Sequence, residues 1–178
     1  MSQLLSYKRV ISSLAAASCL VFSLLTSVLA QAPAPVPAAS VPLPDFTLRS
    51  LTGENLRLSE FRGNVVLLGF WARWCGDCRQ AMQALNEVHA KYERAGLVTL
   101  GINLGDTPDQ AESMAKSLGL AYPVLLDTNK IAGSQFDINA MPLILLIDRE
   151  GKVRFSHPGF ERGQDQKITE HLRQLLNE

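Results

Sequence analysis

Two cysteines with two residues between them, Cys75 and Cys78, stand where an apolar segment meets a helix-like segment. The apolar run at 65–71, VVLLGFW, is typical of a strand that is buried on both faces of a sheet. After Cys78, apolar residues recur at spacings of three and four, as on one face of a helix. The first turn of a helix stabilises an anion through its unpaired N–H groups and its dipole. A thiol placed there ionises readily, and the thiolate is the reactive form.

Such a cysteine pair supports either disulfide exchange or the binding of a metal ion. The third cysteine, Cys19, lies in an apolar N-terminal stretch, so no structural disulfide is available once that stretch is removed. Half of a zinc or copper site would need two further ligands. The three histidines, His89, His157 and His171, are not spaced as a partner motif. The pattern therefore predicts a redox-active pair without metal or cofactor, with Cys75 as the nucleophile because it lies nearest the helix terminus.

The composition argues against nucleic-acid binding. The 178 residues include 17 basic and 17 acidic side chains, with no basic stripe and no interleaved aromatic ladder. Residues 1–30 carry two basic residues and no acid, so the remainder holds 15 basic and 17 acidic residues. The length suffices for one domain with a hydrophobic core.

Residues 1–30 have the layout of a secretory signal peptide. Lys8 and Arg9 form a positive start, an uncharged apolar stretch follows, and small residues precede an expected cleavage after Ala30. An uncleaved membrane anchor is the first alternative, because the stretch is about long enough to span a bilayer. A lipid-modified Cys19 is the second. Each of these predicts a periplasmic or otherwise extracytoplasmic protein, which contacts the membrane only if the segment is uncleaved.

Residues 31–44 hold five of the nine prolines and predict an extended Pro/Ala-rich linker, which leaves 45–178 as the folded domain. Within it we expect a hairpin over 45–58, a helical turn at 59–61, strands at 65–71, 97–103, 124–126, 143–147 and 152–156, helices at 76–94, 107–118 and 130–136, and a last helix with its apolar stripe between 168 and 176. Strand, helix and strand in this order predict a right-handed parallel crossover. His157 is predicted to lie in a solvated loop.

The segment FWAxWCxxCR at 70–79 resembles the active-site segment of thioredoxin-like proteins. It is most similar to the extracytoplasmic thiol–disulfide oxidoreductases of the TlpA/ResA/DsbE type, a redoxin group related to AhpC/TSA proteins. The likeness extends from about Pro44 to the C-terminus and includes YPVLLD at 122–127 and Met141–Pro142 followed by IDREG at 147–151.

This resemblance implies an α/β thioredoxin fold with three α/β/α layers, a central mixed sheet, an N-terminal β extension and an inserted helix–strand unit. It also implies reduction of disulfides in exported protein substrates, a membrane thiol-electron transporter as the reductant, and a part in cytochrome c maturation. In such proteins the proline at the position of Pro142 is cis and faces the cysteines. The preceding residue, here Met141, would pair with the substrate backbone, and Trp74 would flank the substrate groove.

The chain departs from these relatives near the cysteines. Many of them carry a glutamate and a proline where this chain has Ala81 and Gln83, and thioredoxin buries an aspartate where this chain has Gly69. The acid handles the proton of the second thiol in those proteins. Cys78 must therefore lose its proton to water or to another group.

Two other functions fit the same motif. The first is a periplasmic disulfide oxidase or isomerase, which donates its disulfide, and the second is a copper-binding metallochaperone that uses the cysteines as ligands. A peroxidase is disfavoured, since that chemistry requires a lone peroxidatic thiol in its own motif. The reduction potential of the pair would separate a reductant from an oxidant.

Overall fold

The central strand, β3 (Val65–Trp71), is buried along its whole length, as its apolar sequence predicts. The computed structural model describes residues 44–136, 138 and 140–178. The predicted signal peptide at 1–30 and the linker up to residue 43 lie outside the described residues.

In the described part of the chain, six further strands join β3 in one sheet. They are β1 Thr47–Ser50, β2 Asn55–Arg57, β4 Leu97–Leu104, β5 Val124–Asp127, β6 Leu143–Ile147 and β7 Val153–Pro158. The order across the sheet is β2-β1-β5-β4-β3-β6-β7. Strands β3, β4 and β5 are parallel, and the other pairings are antiparallel. The carboxyl ends of β3, β4 and β5 therefore meet at one edge.

Helices cover both faces of the sheet. Their bounds are α1 Cys78–Tyr92, α2 Pro108–Ser117, α3 Ile131–Gln135 and α4 Gln164–Leu176, with 3₁₀ turns at Leu58–Phe61 and Glu93–Ala95. Val65, Leu67 and Trp71 of β3 share an apolar cluster with α1, α2 and α4. Their neighbours Val66 and Leu68 join a second cluster with α3 and the N-terminal strands. This is the predicted three-layer α/β/α architecture. None of these helices is long and apolar enough to cross a membrane.

Helix α2 and strand β5 form the predicted inserted unit. Helix α2 begins with a capping box, in which Thr107 Oγ1 accepts the Gln110 N–H (3.4 Å) and Gln110 Oε1 accepts the Thr107 N–H (3.1 Å). Pro108 occupies the first turn, where its missing N–H costs no hydrogen bond. Strand β5 pairs with β4 on one side and with β1 on the other. The insertion thus joins the central sheet to the N-terminal β extension.

Helix α1 begins two residues later than the sequence predicts. The residue before it, Asp77, is the N-cap, and the preceding residues form a turn in which the Cys75 N–H donates to the Ala72 carbonyl (3.2 Å). Cys75 therefore lies in the turn, and Cys78 is the first helical residue.

The prediction that His157 lies in a solvated loop is wrong. Strand β7 continues two residues beyond the expected end, and His157 lies in it, 5% exposed and opposite Ile144 of β6. Its Nε2 atom is 3.2 Å from Nδ1 of His171 on α4. The last two residues of this strand are a histidine and a proline. The apolar sequence pattern therefore ends before the pairing with β6 does, and the strand is longer than predicted.

Candidate active site

Cys75 and Cys78 are joined by a disulfide bond at the carboxyl end of β3. Their sulfur atoms are 2.08 Å apart and their Cα atoms 5.4 Å apart. Cys75 is 8% exposed, whereas Cys78 is completely buried. Of the two cysteines, Cys75 is therefore the one that a second molecule can reach.

A shallow cleft, here called the Trp74 cleft, opens beside the disulfide. It is lined by Trp74, Cys75, Gly76, Asp77, Ile138, Ala140 and Met141. The Trp74 side chain is 71% exposed, so its indole is free to contact a partner. The Met141–Pro142 peptide bond is cis, as the resemblance implies. The fold thus brings Met141 to the same surface as Trp74 and Cys75, from which it is distant in sequence.

Asp106 supports the turn that carries Cys75, and the sequence reasoning missed it. Its buried carboxylate oxygen Oδ2 accepts hydrogen bonds from the backbone N–H of Arg73 (2.8 Å) and from Nδ2 of Asn103 (2.7 Å). Arg73 belongs to the turn after β3, and Asp106 follows the parallel strand β4. The shared carboxyl edge of two predicted parallel strands was the available signal, because it brings their following loops together.

Gly69 and Ala81 stand where relatives keep a buried acid. Gly69 lies on β3 against helix α1, and Ala81 lies within that helix. A Cβ atom built on Gly69 would come 2.6 Å from Cδ1 of Leu85 and 3.1 Å from Cε of Met82. Ala81 is completely buried and belongs to the same apolar cluster as Cys78. The space of the thioredoxin aspartate is therefore filled by hydrocarbon and thioether groups, and the resolving sulfur has apolar surroundings at both positions.

Trp71, the last residue of β3, is completely buried. Its Nε1 atom has no hydrogen-bond partner among the described residues. On the adjacent strand, a Cβ atom at Gly101 would lie 3.2 Å from that nitrogen and 3.0 Å from Cε2 of Tyr122. The glycine therefore leaves room for the indole under the active-site turn.

The imidazoles of His157 and His171 form a neutral pair at pH 7. Burial lowers the pKa of His157 to about 4, and positive charge on His171 and Lys167 acts in the same direction. Burial also lowers the pKa of His171, with Lys167 adding to this effect and Glu170 opposing it. Within the described residues no three His, Cys, Asp or Glu side chains are grouped as metal ligands.

Comparisons with known proteins agree with this geometry. The AhpC/TSA family model matches residues 40–156. The thiol-disulfide oxidoreductase ResA of Geobacillus thermodenitrificans (strain NG80-2) is 33% identical over 132 residues, which cover 74% of this chain and 75% of that protein.

Two solved structures share the arrangement of strands and helices. The crystal structure of a candidate thiol:disulfide interchange protein DsbE from Chlorobium tepidum has a TM-score of 0.73 at 32% identity, covering 77% of this chain and 96% of that one. The solution structure of a candidate protein disulfide isomerase from Bacteroides thetaiotaomicron has a TM-score of 0.74 at 28% identity, covering 80% and 92%. This chain therefore belongs to the AhpC/TSA family and is a thiol–disulfide oxidoreductase with a thioredoxin-like fold.

Proposed function

We propose that this oxidoreductase reduces disulfides of exported proteins, with Cys75 as the attacking thiolate and Cys78 as the resolving thiol. The observation that carries the proposal is the unequal exposure of the two residues, 8% for Cys75 and 0% for Cys78, with Cys75 lining the Trp74 cleft. An attacking sulfur must reach a second molecule, whereas a resolving sulfur needs to reach only its partner in the same turn.

The reaction proceeds through two exchanges. The Cys75 thiolate attacks one sulfur of the substrate disulfide, a mixed disulfide forms, and the other substrate sulfur leaves as a thiolate. The Cys78 thiolate then attacks the Cys75 sulfur, which releases the second substrate thiolate and closes the Cys75–Cys78 disulfide. Two electrons pass to the substrate, whose thiolates take up two protons, while the enzyme dithiol loses two.

The start of helix α1 favours the attacking thiolate. The unpaired N–H groups and positive dipole end of this 15-residue helix lie next to the cysteines, and its first turn contains no acidic residue. Arg73 and Arg79, both exposed, add positive charge on either side of the motif. Asp77 opposes the thiolate as a like charge but suits the helix terminus.

Substrate binding is assigned to Trp74, Met141 and Pro142. Trp74 supplies an exposed aromatic surface beside the Cys75 sulfur. Met141 lines the same cleft just before β6, so that its backbone can pair with an extended substrate segment, as the resemblance implies. Backbone pairing gives affinity without demanding one sequence, which suits an enzyme that acts on several proteins.

Export and reductant supply complete the proposal. A signal peptide at 1–30, or an anchor if it is uncleaved, delivers the domain outside the cytoplasm, and a membrane thiol-electron transporter returns the disulfide to the dithiol. The relative named ResA and the solved neighbour described as DsbE support a place in cytochrome c maturation. Fractionation of cells that express the full chain tests the location, and intact precursor in the cytosol would contradict it.

A trapping experiment tests the assigned thiols. Cys78→Ser should accumulate a mixed disulfide on Cys75 when mixed with a disulfide-bonded protein, whereas Cys75→Ser should form none. Limiting alkylation of the reduced protein should modify Cys75 first. Preferential labelling of Cys78, or trapping by Cys75→Ser, would reverse the two assignments.

The reduction potential tests the direction of transfer. Equilibration with glutathione buffers should give a value below that of the substrates, because a reductant must be the more reducing couple. A strongly oxidising potential would replace the reductase with the oxidase or isomerase. Purified protein that carries stoichiometric copper would favour the metallochaperone.

A further inference from the structure

A second cleft is lined in part by residues that flank the two cysteines in sequence, and we call it the arginine cleft. It is lined by Arg73, Arg79, Asp109, Gln110, Ser113, Met114 and Ser117. The two arginines come from the active-site segment, two residues before Cys75 and one residue after Cys78. The remaining lining residues belong to helix α2. The inserted helix–strand unit therefore supplies one wall of a surface next to the reactive cysteines.

The charges of this cleft do not cancel. Among residues 44–136, 138 and 140–178, neither Arg73 nor Arg79 forms an ion pair with a carboxylate. Asp109 is the acidic residue in the lining, so the cleft carries two positive charges and one negative charge. Both arginines are exposed, and their guanidinium groups are available to an incoming anion.

The two clefts present different chemistry to a substrate chain that reaches Cys75. The Trp74 cleft offers an indole, a methionine and small groups together with the carboxylate of Asp77. The arginine cleft offers two guanidinium groups next to Asp109, Gln110, Ser113, Met114 and Ser117 of α2. The active-site segment contributes residues to both clefts, and the two clefts share no lining residue. The two surfaces next to the cysteines are therefore suited to different substrate side chains.

We propose that Arg73 and Arg79 select protein substrates that carry an aspartate or glutamate close to the target cysteine, on the flank opposite an apolar residue. This inference rests on the proposed function and specifies its substrate class. The planar guanidinium group binds a carboxylate through two parallel hydrogen bonds, which a lysine or a neutral side chain does not reproduce. Complementary charge also raises the rate at which substrate and enzyme meet.

Selection of substrates differs from activation of the thiol. If the arginines acted only on the Cys75 thiolate, their removal would slow the reduction of all substrates by one factor. A contact with a substrate carboxylate instead changes the ratio between acidic and basic substrates. The ratio of rate constants is therefore the informative quantity, because any change in the intrinsic reactivity of Cys75 cancels from it.

The test uses short peptides whose single cysteine is disulfide-bonded to thionitrobenzoate. Each contains one apolar residue on one side of the cysteine and Asp, Asn or Lys on the other, and each is made in both chain directions. Reduced enzyme converts the disulfide to two thiols and becomes oxidised, and the released chromophore reports kcat/KM. At low ionic strength the Asp peptide of one direction should react about three- to tenfold faster than the Lys peptide. High salt should bring this ratio close to one.

Charge reversal provides the decisive variant. Arg73→Glu/Arg79→Glu should prefer the Lys peptide, a gain that a misfolded protein cannot give. The hydrogen bond to Asp106 comes from the Arg73 backbone N–H and not from its side chain, so the substitution leaves this donor in place. The matched control is Arg94→Glu, an exposed arginine in the 3₁₀ turn after the far end of α1. It should keep the wild-type preference.

Three outcomes would overturn the inference. If the enzyme reduces the peptides rapidly and the Asp and Lys peptides react at equal rates in both directions, the proposed substrate selection is wrong. The proposed reductase function is then unaffected. A preference that survives charge reversal would show that it arises elsewhere on the surface. Failure to reduce any peptide would overturn the reductase itself and the selection with it.

Discussion

The backbone N–H of Arg73 donates a 2.8 Å hydrogen bond to the buried carboxylate of Asp106. Asp106 lies in the loop after β4, so this loop stabilises the turn that carries the reactive cysteine. The same oxygen accepts the Asn103 side-chain amide at 2.7 Å. Two donors thus converge on one oxygen, and the carboxylate links the ends of two parallel strands. The position of Cys75 depends on a residue that is 31 positions away in sequence.

Removal of this carboxylate should weaken both the fold and the exchange reaction. Asp106→Ala leaves two buried N–H donors without their acceptor, so we expect a loss of about 1–3 kcal/mol in the free energy of unfolding. The turn also loses a hydrogen bond that supports it, so the pH dependence of the Cys75 alkylation rate should change. Asp106→Asn, whose amide oxygen can still accept, should lie between the wild type and the alanine variant.

Chemical unfolding and alkylation against pH measure these effects. The control is Asp165→Asn, which changes an exposed acid in the first turn of α4. If Asp106→Ala is destabilised but keeps the wild-type alkylation profile and exchange rate, Asp106 supports the fold alone and does not position the thiol.

A side chain at Gly69 should destabilise the packing between β3 and α1. An added Cβ atom would approach Leu85 Cδ1 to 2.6 Å and Met82 Cε to 3.1 Å, both inside the core between β3 and α1. Gly69→Ala should therefore lose about 1–3 kcal/mol of unfolding free energy through overpacking. Gly76→Ala is the control, since a Cβ there meets no atom within 4 Å.

A double variant identifies the cause. Gly69→Ala/Leu85→Val should be less destabilised than the sum of its two single variants, because the shorter side chain relieves the contact. Strict additivity would mean that the clash does not limit stability. The same geometry implies that an aspartate at this position would displace the side chains of Leu85 and Met82.

The sequence predicts those features that depend on short segments. Seven apolar residues in succession identify β3, and Thr107, Pro108 and Gln110 identify the start of α2 within one residue. The resemblance adds the cis bond before Pro142, which no local pattern would have favoured over trans.

Features that depend on how the strands pair cannot be predicted from a short segment of the sequence. In the sequence, Asp106 is an acidic residue in a loop with no sign of a special role. Its contact with the Arg73 N–H becomes evident only from the parallel pairing of β3 and β4. His157 is polar and precedes a proline, so its pairing with Ile144 contradicts the local pattern. In both cases a long-range contact determines the environment, and a single segment does not contain that information.

The buried His157 should make the protein sensitive to acid. The pKa of its imidazole is about 4 in the folded protein, lowered first by burial and then by positive charge on His171 and Lys167 of α4. Its ordinary value is 6.5. Between these values the unfolded chain binds a proton that the folded protein does not, so stability falls as pH drops from about 6.5 and the loss ends near 4.

An NMR titration of the histidine ring protons checks this assignment, with chemical unfolding at pH 7 and 4.5 as the second readout. His171→Gln should raise the pKa of His157, because it removes a neighbouring positive charge. His157→Gln should reduce the difference in stability between the two pH values. A midpoint near 6.5 for His157 in the wild type would show that its ring is hydrated and would contradict the burial argument.

The lack of an acid near Cys78 should make substrate release dependent on pH. Resolution requires the Cys78 thiolate, and ionisation of a thiol in apolar surroundings is unfavourable. With Ala81 and Gly69 at the two positions where relatives keep a carboxylate, solvent hydroxide must take a larger part in removing the proton. Decay of the mixed disulfide on Cys75 should therefore accelerate as pH rises towards the Cys78 pKa.

Ala81→Glu tests this reading, because it places a carboxyl group one helical turn after Cys78. We expect a flatter pH dependence of mixed-disulfide decay near neutrality, together with a loss of stability because a carboxyl group is buried without a partner. Ala81→Gln is the matched control: it has nearly the same volume and a similar burial cost but accepts no proton. Single-turnover decay against pH separates the two variants. If Ala81→Glu, Ala81→Gln and the wild type give parallel profiles, another group already removes the Cys78 proton and the substitution at residue 81 has no catalytic consequence.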